Sequence, residues 1–202
     1  RLRRNLEALK EELLVFSPYF VPGDIGSEWL ITLAKRGIRV RIVTNSLAST
    51  DVDLVHSGYA RYRKRLLEAG IGLYEIMPAP GEEAAESGAL SASGASLHVK
   101  TFVLDRRRLF VGSMNLDPRS ARLNTEMGVL LESRELGKKV GDWFDRELLS
   151  AAYEVRLDER SRLIWVDHQP ANQRIYRFEP ETGFLKRLKY RVGRIMPIES
   201  QL

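Results

Sequence analysis

Between Leu14 and Met77, short apolar runs alternate with longer stretches of helical periodicity, and this alternation constrains the fold more than any other feature of the chain. Leu14-Val15-Phe16 is an apolar run that ends in the turn chemistry of Ser17-Pro18. Asp24 can cap a helix running to Arg36, with Gly37 as its stop, and Val40 to Asn45 then predicts a strand. Asp51 to Ala69 predicts a second helix closed by Gly70, and Leu73 to Met77 the next strand. Such units bury their strands only when helices pack on a sheet, so the fold class is α/β: a mixed β-sheet flanked by helices. Ahead of them, Leu2, Leu6, Leu9 and Leu13 at helical spacing predict an amphipathic helix, and Thr125 to Leu131 predicts a later strand. Glu135 to Ala152 predicts a closing amphipathic helix. Short alternating runs at 163–166 and 174–178 predict a small C-terminal β-rich appendage, which divides the chain into 1–152 and 153–202.

The absence of Cys among 202 residues excludes disulfides, thiolate catalysis and Cys-based zinc sites, and leaves the compartment undecided. No apolar run approaches the roughly 20 residues that span a bilayer. The opening Arg-Leu-Arg-Arg-Asn has neither Met nor a signal pattern, so the chain is expected to begin inside a longer protein. A net charge of +5 favours anionic partners, either lipid headgroups or nucleic acid. The basic tail, with Lys186, Arg187, Lys189, Arg191 and Arg194, can lie on an anionic membrane or pack on the domain. Residues 78–96, rich in Pro, Gly, Ala, Ser and Glu, read equally as a lid or as a disordered insertion.

Chemistry concentrates in Leu97 to Ser120, LHVKTFVLDRRRLFVGSMNLDPRS. Two apolar runs, Thr101 to Leu104 and Leu109 to Val111, flank the polar Asp105-Arg106-Arg107-Arg108 and predict a hairpin with a solvated tip. Pairing Leu104 with Leu109 would set Lys100 opposite Ser113 and His98 opposite Asn115, all on one face. An ammonium with amide and hydroxyl donors can hold the non-bridging oxygens of a phosphate diester. Gly112 lets backbone come close, and an imidazole can attack phosphorus or pass a proton. Such a site calls for no metal and no cofactor.

His98, Lys100, Asp105, Gly112, Ser113 and Asn115 match without a gap the pattern H-x-K-x4-D-x6-G-S-x-N, and the chain resembles the phospholipase D superfamily. The runs at 115–120 (NLDPRS), 123–128 (LNTEMG) and 196–202 (MPIESQL) resemble its bacterial cardiolipin synthase-like branch. The resemblance implies that residues 1–152 are one phospholipase D-like half with the catalytic set His98, Lys100, Asn115 and Glu126. In it His98 is the nucleophile or its acid/base partner, and Lys100, Ser113 and Asn115 bind phosphate. Asp105 and Gly112 are structural, and Glu126 hydrogen-bonds the imidazole and stabilises its charged form. It also implies a phospholipid substrate such as phosphatidylglycerol, a phosphohistidine intermediate and peripheral attachment to the bacterial inner membrane. Double displacement at phosphorus needs two imidazoles, so the partner is expected to be an N-terminal half of the same protein or a second copy.

Two other function classes stay open: a phosphodiesterase acting on nucleic acid, and a non-catalytic binding half. The motif face shows no clear stripe of aromatic residues interleaved with Lys and Arg, which makes nucleic acid the weaker expectation. His56 and His168 lack metal-ligand partners at suitable spacing and read as ordinary polar or surface histidines.

Overall fold

A short helix, α1 (Leu2–Glu7), stops before Leu9, which enters the core, and Leu13 faces inward from a strand, β1 (Glu12–Phe16), not from the helix its spacing suggested. The structure is a computed structural model and describes residues 2–78, 96–169, 173–183, 186–188 and 190. From β1, α2 (Gly23–Lys35) leads to β2 (Arg39–Asn45), and α3 (Asp53–Ala60) and α4 (Arg63–Glu68) lead to β3 (Gly72–Ile76). The helix predicted over 51–69 is therefore broken at Arg61-Tyr62, and the break lets Arg63 turn fully into the interior.

β1, β2 and β3 are parallel. On the other edge of β1 runs an antiparallel meander of β4 (Thr101–Leu104), β5 (Arg108–Gly112) and, after the short α5 (Pro118–Arg122), β6 (Gly128–Glu132). The strand predicted from Thr125 thus starts later, and Glu126 precedes it. α6 (Arg134–Ala151) crosses the sheet to β7 (Ala152–Leu157), β8 (Leu163–Asp167) and β9 (Arg174–Tyr176). The described strands form one sheet in the order β6-β5-β4-β1-β2-β3-β7-β8-β9, so the strands after residue 152 extend the main sheet through β7 on β3.

Alternation along the central strands sorts the core into two layers. Leu13, Val15, Val40 and Ile42 pack with Leu30, Leu33 and Leu66 of α2 and α4. Leu14, Phe16 and Val43 pack with Phe144 and Leu148 of α6. Each such fully buried aliphatic side chain contributes about 1.5–3 kcal/mol by leaving water.

The hairpin differs from its predicted register by one residue. Leu104 pairs with Arg108 and Val103 with Leu109, so the loop is the three residues Asp105, Arg106 and Arg107. Asp105 and Arg106 both sit at φ 50°, a left-handed conformation that Asp tolerates better than most residues. Its carboxylate accepts the backbone N–H groups of Lys10, Glu11 (2.8 Å) and Glu12 (3.0 Å), and so ties the hairpin to the start of β1. One consequence is that Lys100 meets Gly112 and not Ser113: the Gly112 N–H donates to the Lys100 carbonyl at 3.1 Å.

At the hairpin tip Arg107 is exposed as expected, but Arg106 is drawn into a charge network. Arg106 donates to Glu12 (2.6 Å) and Asp145 (2.6 Å), and Arg41 joins the same two carboxylates while its guanidinium lies 4.1 Å from the Phe144 ring centre. Burial would raise the Glu12 carboxyl, but Arg106 and Arg41 hold it below the ordinary glutamate value. α6 presents Gly137 here, where a Cβ would lie 2.5 Å from the Arg106 carbonyl, so only glycine permits the approach.

Candidate active site

The motif lies where the parallel strands β1 and β2 end. Open α/β sheets gather functional groups at the C-terminal ends of their strands because loops diverge there. Ser96 to Lys100 runs into β4 beside those ends. His98 is exposed; its Nδ1 lies 3.4 Å from the Ser96 carbonyl, and Lys100 Nζ donates to the His98 carbonyl at 3.3 Å. A carbonyl oxygen can only accept, so this contact favours the tautomer protonated at Nδ1, in which the lone pair of the ring sits on Nε2.

Gly112 ends β5, and a Cβ there would lie 2.4 Å from the Met127 carbonyl oxygen, so the close approach of β5 to the chain before β6 requires glycine. Ser113 stands at that approach. Its backbone N–H donates to the Met127 carbonyl (2.9 Å), and its hydroxyl accepts the Met127 N–H (3.0 Å) and donates to the Glu126 carboxylate. Asn115 is half-buried, with an Oδ1 that is shielded from solvent and has no hydrogen-bond partner among the described residues.

The hydrogen bond between Glu126 and His98 implied by the resemblance is absent among the described residues. Sheet order explains this: β5 lies between β4, which follows His98, and β6, which follows Glu126. Glu126 therefore meets Ser113 first, and Asn124 Nδ2 donates to it at 3.2 Å. The Ser113 hydroxyl, together with Asn124, Ser120 and the nearby Lys100 ammonium, holds its carboxyl below the usual range. Asp105 is buried at the far end of the hairpin on the N–H groups of β1, while His98, Lys100, Ser113 and Asn115 lie on the two segments that leave the other end.

A cavity of about 220 Å³ opens beside Asn115, lined by Tyr19, Val55, Asp117, Arg119, Ser120 and Asn124. Tyr19 donates to Asp51 at 2.9 Å; burial, reinforced by this carboxylate, pushes its phenol up to about 12. Phe20 belongs to the core.

Two buried polar residues that the motif does not contain also touch it. Asn45, ending β2, bonds the backbone of Leu97, and Ser17, just past β1, bonds the backbone of Leu116. Their one sequence signal is a small polar residue at the C-terminal end of a strand: Ser17 just past β1 and Asn45 as the last residue of β2.

His56 is not a surface histidine. It is 3% exposed, between the Tyr59 and Tyr190 rings, with Nε2 at 3.7 Å from Glu179 Oε2. His56, Glu75 and Glu179 bring possible ligand atoms within 4.8 Å of one another. Arg63, however, bridges the two carboxylates at 3.0 and 2.6 Å, and Trp165 occupies the other Glu75 oxygen at 2.8 Å. His56 Nε2 and Glu179 Oε2 face each other at 3.7 Å and have no hydrogen-bond partner among the described residues, and two atoms fall short of the three or four ligands that zinc needs. Burial holds Glu75 above its ordinary value even beside Arg63; burial would also raise Glu179, but Arg63 and His56 carry it down to about 2. His168 pairs with Glu154 at 2.7 Å. Of the basic tail, Lys186 reaches Asp53 at 3.3 Å and Tyr190 is buried against Arg63. Lys189, Arg191, Arg194, the closing run 196–202 and most of the predicted lid segment lie outside the described residues.

An α/β sheet ending in a His-x-Lys segment beside a Gly-Ser-x-Asn segment is the architecture of a phospholipase D-like domain. The family described as "Cardiolipin synthase, PLD-like domain" matches residues 2–148, and the chain belongs to it. It is 42% identical over 191 residues to cardiolipin synthase C of Escherichia coli, a match covering 94% of this chain and 40% of that protein. Cardiolipin synthase A of Serratia proteamaculans is 29% identical over 176 residues, covering 85% of this chain and 31% of that protein. The chain thus spans about two fifths or less of these relatives. Among solved structures, the phospholipase D family member Nuc from Salmonella typhimurium superposes with a TM-score of 0.56 at 19% identity, over 76% of this chain and 87% of that one. Phosphatidylserine synthase from Haemophilus influenzae gives 0.54 at 15%, over 76% and 35%. At these identities the two structures speak to the fold.

Proposed function

We propose that this chain is one half of a phospholipase D-type catalytic unit, which transfers a phosphatidyl group between phospholipids, or to water, through a phosphohistidine on His98. The observation that carries this reading is an exposed imidazole whose Nδ1 faces a backbone carbonyl, which favours the tautomer with the lone pair on Nε2. In that tautomer the lone pair attacks phosphorus, the phosphorus–oxygen bond to the leaving alcohol breaks, and an incoming hydroxyl later displaces the imidazole. Lys100 and Asn115 donate to the phosphate oxygens, and the Ser113 hydroxyl joins them by turning its one proton from Glu126, which holds it in place, to the phosphate. Asp105 and Gly112 fix the hairpin. The leaving oxygen needs a proton from a second imidazole, supplied by an N-terminal half or a second copy of this chain. Val99, Val111, Met127 and Val129 are exposed around the motif and favour a surface that such a partner covers. The net charge of +5 favours peripheral contact with anionic lipid, and no described helix is long and apolar enough to cross a membrane.

The test is incubation of the protein that includes its partner half with phosphatidylglycerol vesicles and, separately, single-stranded DNA. Cardiolipin or phosphatidic acid should appear and vanish with His98→Ala. Cleavage of DNA alone would replace this reading with the nuclease one, and lipid binding without product would leave the non-catalytic half.

A further inference from the structure

The backbone around the motif has a gap in its ladder. β4 pairs with β1 only from Thr101, opposite Phe16, because β1 ends there and Pro18 carries the chain away. Ser96 to Lys100 would therefore leave backbone groups unpaired beside the reacting imidazole. Asn45 reaches across from the end of β2 and fills the gap: its Oδ1 accepts the Leu97 N–H at 2.8 Å, and its Nδ2 donates to the Leu97 carbonyl at 3.2 Å and to Ser96 Oγ at 3.4 Å. One side-chain amide thus performs both bonds that a neighbouring strand residue would make. Lys100 is held from the other side by the Gly112 N–H, so His98 stands between two anchored residues.

The second motif segment is fastened in the same way. Ser17, fully buried, donates its hydroxyl to the Tyr19 carbonyl at 2.6 Å and accepts the Leu116 N–H at 3.1 Å, while the Val21 N–H donates to the Leu116 carbonyl at 2.7 Å. Leu116 follows Asn115 directly. Both bonds span a long stretch of chain, 52 residues for Asn45 to Leu97 and 99 for Ser17 to Leu116, so local propensity cannot supply them. Asn45 is 2% exposed, which leaves it no role at the protein surface.

We propose that Asn45 and Ser17 are positioning residues of the His98 site, holding the His98 and Asn115 segments at the distance and orientation that in-line attack on phosphorus requires. This rests on the reading of His98 as the reacting residue. Misplacing a reacting group by about 1 Å costs on the order of 100-fold in rate. Removal of the Asn45 amide should therefore act on turnover and not on substrate capture.

The test uses the protein with its partner half, labelled with ¹⁵N at histidine, and compares wild type, Asn45→Ala, Asn45→Asp, Ser17→Ala and His98→Ala. Asn45→Ala should lower kcat by about 10- to 100-fold with KM within about twofold, and should move the His98 imidazole resonances, which His98→Ala assigns. Asn45→Asp keeps the acceptor for the Leu97 N–H and loses the donor, so it should fold and fall between wild type and Ala. Ser17→Ala should lower kcat and leave the His98 resonances nearer their wild-type positions. Unmoved His98 resonances in both Asn45 variants, or a kcat loss equal to the loss of folded protein, would overturn the proposal. Full activity of His98→Ala would instead remove the functional reading, and the resonances would still judge the clamp.

Discussion

Arg63→Met should expose how strongly the fold depends on its buried charge cluster. The guanidinium is fully buried and donates to Glu75 (3.0 Å), Glu179 (2.6 Å) and the Tyr190 hydroxyl (2.5 Å). Met retains most of the apolar stem, so the change removes charge with little change in volume. Two buried carboxylates are then left with Trp165 on Glu75 and with His56 at 3.7 Å from Glu179. Deleting one partner of a buried ion pair costs about 3–5 kcal/mol. Protonation limits the loss, because an orphaned carboxylate with an unfolded value near 4.3 can take a proton for about 3.7 kcal/mol at pH 7 and about 1 kcal/mol at pH 5. For two carboxylates the expected loss is about 4–7 kcal/mol at pH 7 and about 2 kcal/mol at pH 5. The sign follows from the raised folded-state pKa of a carboxylate without its cation: the penalty is full above that value and gone below the unfolded one. Wild-type Glu179 behaves oppositely, since a value of about 2 gives a contribution complete above the unfolded value and lost as pH falls toward 2. Urea unfolding followed by circular dichroism at the two pH values measures the difference. A chain of this size should also lose about 2–4 °C of Tm per kcal/mol. If Arg63→Met folds too poorly to measure, adding Glu75→Gln and Glu179→Gln should restore stability. A loss below about 1 kcal/mol at pH 7, or equal losses at both pH values, would refute the reasoning.

Asp105→Ala should cost about 2–4 kcal/mol, because it strands the Lys10, Glu11 and Glu12 N–H groups and a left-handed turn residue; denaturant titration will show it, and a loss under about 0.5 kcal/mol would mean that the hairpin holds without this tie. Glu126→Ala and Ser113→Ala should each lower turnover about tenfold, and the double variant should do little worse, since both break one contact. Fully additive losses would mean that Glu126 acts elsewhere, for instance on an imidazole of the facing half. Phosphatidyl transfer should survive exhaustive EDTA treatment, because the proposed phosphate ligands are an ammonium, a hydroxyl and an amide; loss restored only by a divalent ion would sink that mechanism.

The motif residues were legible in the sequence because their chemistry depends on spacing within one short stretch. His98, Lys100, Ser113 and Asn115 are placed by two apolar runs and a turn, and the α/β class by runs of similar length from Leu14 to Met77. The tertiary structure decided everything that depends on which strands become neighbours. Asp105 shortened the hairpin loop by bonding to β1, far away in the chain, which moved Lys100 from Ser113 to Gly112. The order β6-β5-β4 put Ser113 between Glu126 and His98 and so changed the partner of the carboxylate. The placement of β1 between β4 and β2 brought Ser17 and Asn45 against the motif, although nothing near either residue announces a ligand. His56, which looked ordinary, was buried because Arg63, Glu75, Glu179 and Tyr190 converge from a helix, a strand and the C-terminal segment. Hydrophobic period and turn chemistry are local and survive in a one-dimensional string. Register, strand order and the partners of buried polar groups are fixed by contacts across tens of residues, and they exist only once the sheet has closed.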